Sequence, residues 1–192
     1  MSATQTITYS IIAGLISVLF IPFIVANSQL FPFITGKAFV FRILVEILLG
    51  LWVVGLLREP SLRPRFSWIL FSSLVFVGVM VLAAVFGVDF YKSFWSNFER
   101  MEGLITLLHL AAYFLIVSST LTTWSRWKIF FNTSVVASVI MSVYVFLQLA
   151  GKIVINQGGV RVDGTFGNAT YLAVYMLFNF FITLFLWARV YQ

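Results

Sequence analysis

Six apolar runs dominate the chain: Ile7–Ala26, Phe39–Leu57, Trp68–Val88, Gly103–Leu121, Ile129–Ala150 and Tyr171–Trp187. Each is 17 to 22 residues long, and a helix needs roughly 20 apolar residues to cross a bilayer. A backbone inside lipid must satisfy its own polar groups, so runs of this length predict helices. The expected fold is therefore all-α, a polytopic transmembrane bundle of about six spanning helices forming a single domain over residues 1–192. Charged residues make up only 9% of the chain, against roughly 25% in soluble domains, which leaves no room for a soluble domain of any size.

The start, Met-Ser-Ala-Thr-Gln-Thr, lacks the basic n-region of a signal peptide, so the first run reads as a retained helix. Cysteine is absent, which excludes disulfides, thiol catalysis and thiolate metal sites. A single histidine gives no zinc cluster. The net charge of +6 is scattered along the chain and fits juxtamembrane anchors or an anionic ligand rather than nucleic acid.

Proline, glycine and asparagine punctuate the joints between the runs. On one side of the membrane lie Arg58, Arg63, Arg65, Arg126, Lys128 and Arg189; on the other lie Lys37, Arg42, Lys92, Arg100, Lys152 and Arg161. This is a tie in basic residues. The compact Arg58–Arg65 cluster and the Trp124–Lys128 anchor favour a cytoplasmic N-terminus. The opposite joints are longer, of mixed charge and rich in aromatics, as functional surfaces tend to be.

Ionisable residues within a span cost about 2.5–3.5 kcal/mol each on insertion scales and call for an explanation. Arg42 and Glu46 stand four apart on one face of the second helix. They read either as a self-neutralising pair that packs this helix, or as an arginine aimed into a polar cavity with Glu46 orienting it. Glu102, Thr106, His109 and Tyr113 recur at steps of four, three and four, one face of the fourth helix. His109 is then either a buried histidine satisfied by a carbonyl or hydroxyl, or part of a polar pocket lining.

Two joints on the outer side carry more chemistry. Asp89 to Glu102 interleaves aromatics with charges, as an interfacial belt or a sugar site would. Ile153-Val-Ile, Asn156-Gln-Gly-Gly and Val160-Arg-Val read as a small β-hairpin. It leads through Arg161 and Asp163 into Gly164-Thr-Phe-Gly-Asn168 at the start of the last helix. Glycine N–H groups, a helix N-terminus and an arginine fork together suit phosphate oxygens. The competing reading is a tight turn capped by Asn168. The sequons at Asn132 and Asn168 are too short to weigh.

The run Arg161-Val-Asp-Gly-Thr-Phe-Gly-Asn168, followed by Tyr171-Leu-Ala, resembles the motif of bacterial O-antigen ligases and the related Wzy-type O-antigen polymerases. Phe31-Pro-Phe-Ile-Thr-Gly-Lys37 with Phe41-Arg42, and Ser93-Phe-Trp-Ser-Asn-Phe-Glu-Arg-Met-Glu-Gly103, are softer matches. The resemblance implies a membrane glycosyltransferase that takes a glycan from an undecaprenyl diphosphate carrier at the outer face of the bacterial inner membrane. It implies no nucleotide sugar, no metal and no other cofactor. It makes Arg161 the first candidate for a diphosphate contact, with Arg42, Lys37, Arg100, Gly164 and Asn168 as further substrate-binding candidates. Ala169 departs from the family, which often has proline there. The family also has more spans and a catalytic histidine in a later outer loop that His109 does not match. The chain thus resembles the N-terminal portion of such an enzyme, with its catalytic residues unknown. A transporter or flippase for an anionic lipid-linked substrate, predicting broken helices near the midplane, is one alternative. A non-catalytic membrane subunit is another.

Overall fold

The computed structural model describes residues 3–97, 100–156 and 159–190. Seven α-helices account for them: α1 (Ala3–Val18), α2 (Thr35–Arg58), α3 (Trp68–Val85), α4 (Phe90–Trp95), α5 (Leu104–Thr120), α6 (Trp124–Leu149) and α7 (Ala169–Val190). Single 3₁₀ turns follow α1 at Ile21–Phe23 and α2 at Pro60–Leu62. The chain is a helical membrane protein. By length and composition α2, α3, α6 and α7 can each cross a bilayer. The apolar helices α1 and α5 are shorter, at 16 and 17 residues.

Each expected run is a helix, and the ends have local causes. Ser67 caps α3, its side chain accepting the Leu70 N–H at 3.1 Å. The first run stops at Val18, well short of Ala26, because Leu19 and Phe20 turn into the 3₁₀ segment holding Pro22. In the other direction, α6 begins at Trp124, five residues before its apolar run, and so absorbs the Arg126–Lys128 anchor. The extra helix α4 is capped by Asp89, which accepts the Lys92 N–H at 3.0 Å.

The expected hairpin is absent: neither Ile153–Asn156 nor Gly159–Val162 is strand, while Gln157 and Gly158 lie outside the described residues. Its hydrogen bonds go elsewhere. Asn156 N–H donates to Asp163 Oδ2 at 3.1 Å and the Val154 carbonyl accepts from Gln148 Nε2 at 3.1 Å. The strand-like β-branched pattern is thus overridden by two buried polar side chains.

The polarity of the bundle is inverted relative to a soluble protein. Phe71, Val75, Val79 and Leu82 on α3, and Phe178, Phe180 and Phe181 on α7, are exposed, whereas Arg42, His109, Gln148, Asp163 and Asn179 are buried. Lipid is the solvent this surface requires. The apolar core joins Ile11 and Leu15 of α1, Leu48 and Trp52 of α2, and Ile116 of α5, closed at one end by Leu62 and Leu121. Gly14 allows α1 to lie directly on Leu48, the close approach that small residues permit between membrane helices. Polar contacts tie further pairs: Trp52 Nε1 donates to Ser119 Oγ at 2.8 Å, and Ser134 Oγ to Asn179 Oδ1 at 2.7 Å.

Candidate functional site

The segment from Asp163 to Asn168 folds inward. Asp163, Gly164, Thr165 and Gly167 are all buried. Asp163 anchors it, accepting from Gln148 Nε2 at 2.7 Å through Oδ1 and from the Asn156 N–H through Oδ2. The same glutamine accepts the Gly164 N–H on its Oε1 at 2.8 Å, so this N–H serves the loop. Gly164 and Gly167 have φ of +56° and +64°, the left-handed region that glycine enters without a Cβ penalty. Gly167 also rests against the Phe33 ring.

Two bonds fasten the loop to the beginning of the chain. Thr165 Oγ1 donates to the Pro22 carbonyl at 2.7 Å. Lys37 Nζ donates to the carbonyls of Thr165 at 2.5 Å and Phe33 at 2.9 Å. The ammonium lies 5.9 Å from the Phe33 ring centre and 5.6 Å from that of Phe166, within cation–π range. Asn168 caps α7, its Oδ1 accepting the Thr170 N–H at 2.8 Å.

A pocket of about 320 Å³ opens above this arrangement, lined by Leu30–Ile34, Arg100, Asn156, Phe166–Asn168 and Tyr171. The exposed Arg100 guanidinium lies 5.3 Å from the centre of the Phe31 ring. The pocket therefore presents one arginine, the capping asparagine and several aromatic faces. Such a mixture can hold an anionic group and a sugar ring together.

Arg42 is buried beneath the rim. Its Nη2 donates to the Met101 carbonyl and, at 2.9 Å, to Thr106 Oγ1. Among the described residues no ion pair joins it to Glu46, although the charges of Glu46 and Glu102 act on it; it holds a turn in which Met101 has φ +52°. Of the expected stripe, Glu102 lies before α5, because Gly103 is extended and packed on the Phe94 backbone. The remaining members face α2: Thr106 meets Arg42, His109 lies 3.2 Å from Glu46, and Tyr113 packs edge-on against Phe41. Packing between helices, not a pocket lining, is what this face does.

The structure thus brings Lys37, Arg100, Asn168 and the glycine loop together. Arg161 stands apart, exposed at a separate groove of about 610 Å³ lined by Leu149, Val160, Val162 and the first two turns of α7. Of the mixed joint before α5, Phe98 and Glu99 lie outside the described residues. Sequence reasoning passed over Gln148, the organiser of the loop, whose signal was a lone amide in the apolar run Val143–Leu149. Among the described residues no group of acidic or histidine side chains could hold a metal ion. Compared with protein-family models, curated proteins and solved structures, the chain matches none.

Proposed function

We propose that the chain is the N-terminal membrane portion of an O-antigen ligase-like glycosyltransferase, which engages an undecaprenyl diphosphate-linked glycan at the outer face of the bacterial inner membrane. The N-terminus is then cytoplasmic and the pocket faces outward. One observation carries this reading: the three separate segments that resemble the family meet at one pocket. Phe31–Lys37, Ser93–Gly103 and the Arg161–Asn168 run touch through Arg100 on Phe31, Phe33 on Gly167 and Lys37 on Thr165, while Arg161 itself lies at the neighbouring groove. Nothing in apolar packing alone requires these segments, remote in sequence, to share a rim.

The chemistry agrees with the residues. A lipid diphosphate is both the anchor of the donor and the leaving group, and positive charge at its oxygens stabilises departure. Arg100 offers that charge beside the aromatic faces, and Arg161 offers it at the lipid-facing groove. Ligase, polymerase and protein-glycosylating variants share this donor, and the acceptor is left open. The transporter alternative gains no support from the spans, since α2 and α3 run unbroken through Gly50 and Gly78.

The test is binding of an undecaprenyl diphosphate-linked oligosaccharide to the purified chain in nanodiscs. Wild type, Arg100→Ala and Arg161→Ala are compared. Weakening by tenfold or more in either variant, about 1.4 kcal/mol, supports the reading and locates the diphosphate. A folded wild-type chain that does not bind, or binding indifferent to both changes, sinks it.

A further inference from the structure

His109 is held at both ring nitrogens. It lies within α5 and is 9% exposed. Nδ1 is 2.7 Å from the Ile105 carbonyl and Nε2 is 3.2 Å from Glu46 Oε1. A carbonyl oxygen only accepts, so Nδ1 carries a hydrogen. What remains is the number of protons between Nε2 and the Glu46 carboxyl.

With none, a nitrogen lone pair faces a carboxylate and the contact is repulsive. With two, the pair carries a net positive charge in an apolar layer, one turn from the Arg42 guanidinium. With one, the pair is neutral overall and hydrogen-bonded, whether written as imidazolium and carboxylate or as imidazole and carboxylic acid. Arg42 enters this balance, since its guanidinium and the Glu46 carboxylate attract each other. The charge count alone therefore does not choose among the three states; the 3.2 Å contact between Nε2 and Oε1, which is a hydrogen bond only with a proton in it, does. On α2 the neighbouring charge is Arg42, one turn toward the outer end, with Glu102 beyond it. On α5 the next titratable group is Tyr113, one turn further in. The described part of α1 offers only Tyr9, α3 has no ionisable side chain, and α4 offers Tyr91 and Lys92.

We infer that Glu46 and His109 form a single-proton site inside the membrane layer, and that this proton fastens α2 to α5. The two members are unequal in access. The Glu46 side chain is 66% exposed and that of His109 is 10% exposed, so the imidazole is the enclosed member of the pair. The site lies apart from the outer pocket and stands whether or not a glycan binds there.

The chain has one histidine, so histidine-selective ¹⁵N labelling reports this ring alone. In reconstituted wild-type chain, Nδ1 is expected to be protonated and Nε2 to give the signal of a nitrogen sharing a proton. Glu46→Gln keeps a hydrogen-bond donor toward Nε2 but removes the shared proton; Nε2 should then read as a bare acceptor while Nδ1 is unchanged. A wild-type ring protonated on Nε2 with Nδ1 bare overturns the inference. So does a spectrum that Glu46→Gln leaves unaltered. The wild-type spectrum decides the tautomer by itself, whatever the variant's yield.

Discussion

Phe33 lies so closely on Gly167 that a methyl group added to the glycine would overlap the ring. The backbone there has φ +64°, so the position rejects a side chain on two counts. The left-handed backbone alone costs roughly 1–2 kcal/mol for a residue with a Cβ, and displacement of Phe33 adds to it. Gly167→Ala should lower the thermal unfolding midpoint in detergent and open the pocket rim. An unchanged midpoint would mean that the ring moves aside freely.

Asp163→Asn should be costly despite its near-identical shape. The carboxylate accepts from Gln148 on one oxygen and from the Asn156 N–H on the other. An amide supplies one acceptor and turns an NH₂ toward a donor. An unsatisfied buried group costs about 1–3 kcal/mol. Gln148→Leu removes the bond the two residues share, together with Gln148's bonds to the Val154 carbonyl and the Gly164 N–H. The two losses together should fall well short of their sum in a double-mutant cycle of unfolding free energies; simple additivity would mean that the residues do not act as a unit.

Lys37→Met preserves the aliphatic stem and deletes both bonds to carbonyls. Hydrogen exchange at Thr165–Gly167 should accelerate markedly, with exchange in α3 unaffected. Uniform protection across both segments would assign the loop's order to Asp163 and Thr165 alone.

Met101 and Gly103 should respond in opposite ways. Met101 occupies the left-handed region with a side chain, so Met101→Gly relieves strain and offsets the greater unfolded-state entropy of glycine, for a net change within about 1 kcal/mol. At Gly103 a Cβ would overlap the Phe94 backbone, and Gly103→Ala should destabilise clearly. Thermal unfolding of the two variants side by side checks the contrast.

Ala169→Pro should be tolerated. Ala169 is the first residue of α7, where a missing N–H costs nothing and the fixed φ of proline suits the helix. A gain of about 0.4–1 kcal/mol is expected from the stiffer unfolded chain. Loss of stability would place a needed hydrogen bond on the Ala169 N–H.

The helices were legible because lipid enforces a simple rule on length and apolarity, and all six runs were found. Their ends were less so where polar residues continue a helix, as Trp124–Lys128 does, or where a proline turn interrupts an apolar run at Leu19–Phe23. Spacing put Thr106, His109 and Tyr113 on one face of α5 and offered the turn capped by Asn168 as one of two readings, without deciding what either does. What spacing could not reveal was Gln148 reaching the Asp163 loop, since that contact depends on how the end of α6 meets a turn fifteen residues later. The bonds that Asp163 and Gln148 make to the Asn156 N–H and the Val154 carbonyl take up the backbone of a β-branched stretch that reads as a hairpin. Spacing equally could not show that Arg161 lines a groove of its own, apart from the pocket that Arg100 lines.

The bond from Thr165 to the Pro22 carbonyl spans 143 residues of chain. During vectorial synthesis α1 and α2 enter the bilayer long before their partner exists. The rim of the pocket therefore cannot close helix by helix; it waits until α6 and the loop after it have been made. Until residues 165 to 167 have been made, Lys37 and Phe33 lack the surface on which they rest in the folded chain.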